Sequence, residues 1–140
     1  MTLEQFEEKL QESVTAQRFG INNEIPEEYG DRIIELYRSY VTISNLFIIG
    51  LSNKIYITSG YRCDELNGVP GSKHSQCKAF DFAFSSVISK PDFIRVYEQF
   101  QRNVVKYLSI VGLSREEALT QFRKHFMAYP DRLFVHFERS

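Results

Sequence analysis

Six consecutive residues, Ala79-Phe80-Asp81-Phe82-Ala83-Phe84, restrict the fold more than any other stretch of this chain. Side chains alternate across a strand, so Phe80, Phe82 and Phe84 share one face and Ala79, Asp81 and Ala83 the other. The phenylalanine face must lie on a core. The other face carries one carboxylate between two of the smallest side chains, a hollow with a charge at its floor. Two readings stand: an exposed strand face with an ordinary surface Asp, or a carboxylate that belongs to a site. The rest of the chain suits an aromatic core, since it holds 12 Phe and 8 Tyr but no Trp.

With 140 residues the chain is expected to form a single domain, residues 1–140, without a linker or repeat. The charges nearly cancel, 17 basic against 18 acidic for a net −1, so no footprint for nucleic acid or an anionic membrane appears. The N-terminus, Met1-Thr-Leu-Glu-Gln-Phe-Glu-Glu, is acidic and has no apolar signal-peptide region. The most apolar run, Ile43 to Leu51, is far shorter than the ~20 residues that span a bilayer. We therefore expect a monomer that is cytoplasmic at synthesis and has no membrane partner. Cys63 and Cys77 do not make a disulfide scaffold and read as reduced thiols; a bridge between them needs an oxidising compartment.

The periodicities predict helices mixed with strands. Thr2 and Gln5 form a capping box for a first helix with Phe6, Leu10 and Val14 on one stripe, stopped by Gly20. A second helix carries Ile33, Tyr37, Tyr40, Val41 and Phe47 and breaks at Gly50 to Asn53. Lys54 to Ser59 reads as a strand, Gly60 to Lys78 as a long loop, and Ala79 to Phe84 as a second strand. Loops of that length inside a compact domain are usually functional. Ser89 and Pro91 open a third helix that ends near Gly112, and Ser114 with Glu117 caps a fourth. Pro130-Asp131 is a turn, and Leu133 to Glu138 a last strand. Without a regular βαβ rhythm, the order favours α+β with a small antiparallel sheet packed with helices.

The chain has three histidines: His74 in the long loop, His125 after the fourth helix, and His136 in the last strand. His74 precedes Asp81 by seven residues. Imidazole and carboxylate are ordinary zinc ligands, and three of them plus an open position make the usual catalytic pattern. Spacing alone leaves open whether His74, Asp81 and His136 meet or are ordinary core and surface residues.

A longer pattern bears on that choice. Ile57-Thr58-Ser59-Gly60-Tyr61-Arg62, Glu65-Leu66-Asn67, Gly71-Ser72-Lys73-His74 and Ala79-Phe80-Asp81-Phe82 together resemble the zinc D-Ala-D-Ala carboxypeptidase and L-Ala-D-Glu endopeptidase family. The pattern is a strand ending in S-G-Y-R, then S-x-H, then Asp seven residues on, then a late histidine in a strand like Val135-His136-Phe137. The segment Ser13 to Asn23 is similar to the lead-in of a compact, phage-type subgroup.

The resemblance implies the hedgehog/DD-peptidase fold and a zinc peptidase acting on peptidoglycan stem peptides. It implies His74, Asp81 and His136 as ligands of Zn2+, Arg62 as the holder of a substrate carboxylate or carbonyl, and Ser72 as a substrate-binding or loop-shaping residue. A guanidinium suits the first task because its planar fork binds carboxylate bidentately. A phage-type protein would reach the wall by lysis or on the particle. Two positions depart from the family. Cys77 stands where the family usually has Gly, and either fills the place inertly or approaches the metal as a soft ligand. Leu133 stands where many relatives place a Glu base. That leaves Asp131 and His125 as the leading acid/base candidates, with Glu138, on the strand face of His136, a third. A catalytically silent, metal-containing binding domain is the alternative function.

Overall fold

The computed structural model describes residues 1–48, 54–67 and 71–140. The expected helix break at Gly50 to Asn53 lies outside them, as do Gly68 and Pro70 of the long loop. Four strands, β1 (Ile55–Ser59), β2 (Ala79–Phe84), β3 (Phe126–Tyr129) and β4 (Phe134–Glu138), form an antiparallel sheet in the order β1–β2–β4–β3. Helices α1 (Leu3–Gln11), α3 (Gly30–Ile48), α5 (Lys90–Ile110) and α6 (Arg115–His125) supply the packing partners. The architecture is α+β, with a small antiparallel sheet packed with helices. No described helix is long and apolar enough to cross a membrane.

The phenylalanine face of β2 meets the helices. Phe80 receives the edge of Phe6 from α1 at 6.0 Å between centroids, Phe82 meets Phe100, and Phe84 meets Phe93 of α5. Each fully buried Phe stabilises the fold by about 1.5–3 kcal/mol, so this face alone can hold sheet to helices. The opposite face is thereby free to carry polar groups. It is not an exposed face, however: all six residues of β2 are buried, Asp81 among them.

The boundaries differ from expectation in three places, each for a local reason. The first predicted helix is two, because Ser13 caps a new helix, α2 (Val14–Phe19), through its Oγ and Ala16 N. Val14 is left exposed rather than on the core stripe. A short helix, α4 (Asp64–Asn67), sits inside the long loop. Strand β3 was not expected at all; its four residues carry too little alternation to stand out and are defined by pairing, Met127 opposite His136 and Ala128 opposite Val135.

Candidate metal centre

The sheet register brings the histidines to the aspartate. Asp81 of β2 lies directly opposite His136 of β4, so the two side chains share the non-phenylalanine face. His74 comes from the loop, which folds back over β2. The result is a cluster in which one donor atom of each of the three residues lies within 4.8 Å of the other two. His136 Nδ1 is 2.8 Å and His74 Nε2 3.3 Å from the same oxygen, Asp81 Oδ1. His74 and Asp81 are buried and His136 is half-buried.

Counting protons tests whether a cation belongs there. His74 Nδ1 lies 2.7 Å from the carbonyl oxygen of Gly60. A carbonyl only accepts, so this nitrogen donates. A neutral His74 then turns the bare lone pair of Nε2 toward the Asp81 carboxylate. His136 has a carboxylate oxygen at each nitrogen, Asp81 Oδ1 at Nδ1 and Glu138 Oε1 at Nε2, 3.0 Å away. A neutral ring can donate to only one of them. A metal bound by His74 Nε2, Asp81 and His136 Nδ1 resolves both conflicts, leaving one N–H on each ring with an acceptor already in place. Ligand atoms about 2.0–2.1 Å from a tetrahedral zinc lie roughly 3.4 Å apart, so the observed separations from Asp81 need only small adjustment.

Without a metal, protons take the same role. Burial pushes the Asp81 carboxyl up, but its hydrogen bonds to His136 and His74 and their charge outweigh this and hold it below the ordinary range. Burial pushes His136 down, but the Asp81 and Glu138 carboxylates outweigh that and raise it above the ordinary imidazole value. Both shifts favour a carboxylate beside an imidazolium at Asp81 and His136.

Close backbone packing and two side-chain clamps hold these loops. Gly60 approaches α1 so closely that a Cβ there would lie 2.6 Å from Leu10 Cα and from Leu10 O. The glycine is required because Tyr61 N donates to Leu10 O at 2.7 Å. Asn23 is buried and serves three backbones: Nδ2 donates to Gln11 O and Tyr61 O, and Oδ1 accepts from Cys63 N. Arg32 of α3 reaches the other end of the loop and donates to Gln76 O at 2.7 Å. In the sequence Asn23 closes the lead-in segment and Arg32 is an ordinary helix residue, and nothing local marks either as a clamp.

The other predicted residues are placed as follows. Arg62 lines a polar groove of about 440 Å³ with Ser13, Thr15, Thr58 and Ser59, beside the loop end that carries Gly60. Its Nε is buried without a hydrogen-bond partner among the described residues. Its backbone N–H donates to His74 O, which ties the groove to the cluster. Ser72 Oγ accepts from Ser75 N at 3.2 Å and so shapes the turn that presents His74. Cys77 has a left-handed φ of 55°, a conformation that favours glycine. Its side chain is part of the hydrophobic core, and burial pushes the thiol up to about 11, so it presents no thiolate to the cluster.

The two leading acid/base candidates are not brought to the cluster. Asp131 is exposed in the β3–β4 turn, and its carboxylate accepts from Lys90 Nζ at 2.7 Å. Its sequence position near the final histidine reflects the hairpin turn, not proximity to Asp81. His125 ends α6 and turns to the helix side, where it lines an apolar cavity with Phe122, Phe126 and Phe137. Phe137 alternates with His136, so this is the opposite side of the sheet from the cluster. Glu138, the third candidate, is the carboxylate that reaches the cluster, through His136. Leu133 sits in the turn with φ of 60°.

A two-histidine, one-carboxylate cluster on a small antiparallel sheet defines a candidate metallohydrolase. Residues 5–126 match the model of the family Peptidase M15, and the chain belongs to that family. Its members are metal-dependent peptidases. The match includes His74 and Asp81 and ends ten residues before His136 (136 − 126). No curated protein and no solved structure matches the chain.

Proposed function

We propose that the protein is a zinc peptidase that cleaves amide bonds in peptidoglycan stem peptides, of carboxypeptidase or endopeptidase type. The observation that carries this reading is the cluster itself, in which three donors converge and each imidazole already has an acceptor for its other nitrogen. His74 Nε2, Asp81 and His136 Nδ1 would hold the metal. Zinc bound there supplies Lewis-acid chemistry, making water nucleophilic near neutral pH and polarising an amide carbonyl. Arg62 binds the substrate's carboxylate, which would satisfy its buried Nε and fix the peptide beside the cluster. Ser72 keeps His74 in place through the turn to Ser75. Loss from a lysed cell or carriage on a phage particle would give such an enzyme access to the wall.

The placement of the base candidates favours a second reading, a metal-containing binding domain without turnover. Leu133 replaces the usual base, Asp131 pairs with Lys90, and His125 faces the helices. The deciding experiment is incubation of zinc-loaded protein with defined stem peptides, followed by mass spectrometry. Cleavage lost in His136→Ala supports the peptidase. Stoichiometric zinc without any cleavage favours the binding domain.

A further inference from the structure

We infer that Glu138 is a positioning residue: its carboxylate holds the Nε2 proton of His136, so that the ring presents Nδ1 to the metal. The inference rests on the metal-centre part of the proposed function. It comes from the placement of a carboxylate at each nitrogen of one ring. Asp81 Oδ1 is 2.8 Å from Nδ1 of His136, and Glu138 Oε1 is 3.0 Å from Nε2 of the same ring. The imidazole therefore lies between Glu138 and the cluster. A carboxylate on the far side of a ligand ring is poorly placed to take a proton from water on the metal, but well placed to set the tautomer and direction of the ring. An acceptor on the second nitrogen of a metal-bound histidine fixes its orientation and raises its basicity.

The backbone supports the same role. His136 and Glu138 are two residues apart on β4 and share a face. A β-strand thus brings the carboxylate to the ring with no loop between them. The backbone of Glu138 is fixed from the other side of the sheet, because His125 Nδ1 donates to Glu138 O at 2.8 Å. The next residue continues the pairing with β2, Arg139 N donating to Lys78 O at 2.8 Å. His125 therefore has a structural task at this point of the strand. His74 is served in the same manner by a backbone carbonyl, Gly60 O, in place of a carboxylate. The two rings are thus held by different acceptors, one neutral and buried in the loop, one anionic at the solvent side of the sheet.

The test is zinc affinity of the full chain, measured by competition with a chromophoric chelator for the native protein, Glu138→Ala and Glu138→Gln. Glu138→Ala should bind zinc on the order of 10- to 100-fold more weakly. Glu138→Gln should recover part of the loss, because its amide oxygen still accepts the Nε2 proton. Thermal unfolding of each metal-free variant reports whether the fold is kept. On the native zinc-loaded protein, ¹⁵N NMR of the imidazoles should show His136 protonated at Nε2 and metallated at Nδ1, a readout that needs no variant. Equal zinc affinity in Glu138→Ala, or a metal on Nε2, overturns the inference and leaves the peptidase reading intact. Zinc binding that depends on Glu138 without peptide cleavage keeps the inference and removes the peptidase. A native chain that takes up no zinc removes both.

Discussion

The candidate centre is assembled from two regions that differ in how they are built. Residues 57–82 supply His74 and Asp81 from a loop and the strand that follows it, clamped at one end by Asn23 and at the other by Arg32. The β3–β4 hairpin supplies His136 and Glu138 from one strand, located mainly by backbone pairing with β2 and β3. The first region falls within the match to the peptidase family, and the functional end of the second lies beyond it. A loop needs many specific residues to hold one shape, and those residues leave a pattern in the sequence. A strand in a sheet holds its place by backbone hydrogen bonds, which any residue makes, and leaves almost none.

The largest test of that contrast removes the residue shared by both regions. Asp81→Ala should abolish zinc uptake and peptide cleavage. In the metal-free protein it leaves two imidazoles without their common buried partner, at a cost of about 3–5 kcal/mol. Elemental analysis and thermal unfolding check both parts. A variant that keeps stoichiometric zinc would show that the two regions do not meet at Asp81.

Next in size are changes to the loop clamps. Asn23→Ala leaves three backbone groups without their partner, each costing about 1–3 kcal/mol if no water replaces it. We expect a clear fall in melting temperature and weaker zinc binding through His74. Gly60→Ala should cost about 1–3 kcal/mol, because the added methyl meets backbone rather than a movable side chain. If it melts like the native protein, the close approach of α1 is not a constraint on the loop.

The pH dependence sharpens the comparison from the hairpin side. His136 is raised above its ordinary 6.5, so its contribution to the metal-free fold is fully present below pH 6.5 and is lost as pH rises through the raised value. The metal-free melting temperature should therefore fall over the interval from pH 6.5 up through that raised value, measured by calorimetry. Zinc must displace the same proton, so the gain in melting temperature on adding zinc should grow over that interval. Asp81 works in the opposite sense. It is held below its ordinary 3.8, so its contribution is present above that pH and lost as pH falls through the lowered value.

The smallest effects are expected at the residues in and beside the hairpin that face away from the cluster. His125→Ala removes one half-buried hydrogen bond, a cost of about 0.5–1.5 kcal/mol, with zinc stoichiometry kept. Asp131→Ala removes a fully exposed ion pair with Lys90 and should alter neither zinc content nor cleavage. A large loss of cleavage in Asp131→Ala would mean that the turn moves over the cluster when substrate binds.

The sequence by itself determined the α+β class, the phenylalanine face of β2 and the capping boxes at Thr2 and Ser114, because each depends on neighbours a few residues apart. It also displayed the S-G-Y-R and S-x-H-x6-D pattern, since those residues occupy one continuous stretch. Only the tertiary structure decided that Asp81 is buried opposite His136, that His125 faces the helices, and that Asp131 remains in solvent. Alternation already puts Glu138 on the strand face of His136, two residues away. What the sequence does not show is that the hairpin leaves Asp131 in its turn and that His125 faces the helices. Which face a side chain takes is fixed by the register of one strand on another, and register belongs to the folded sheet.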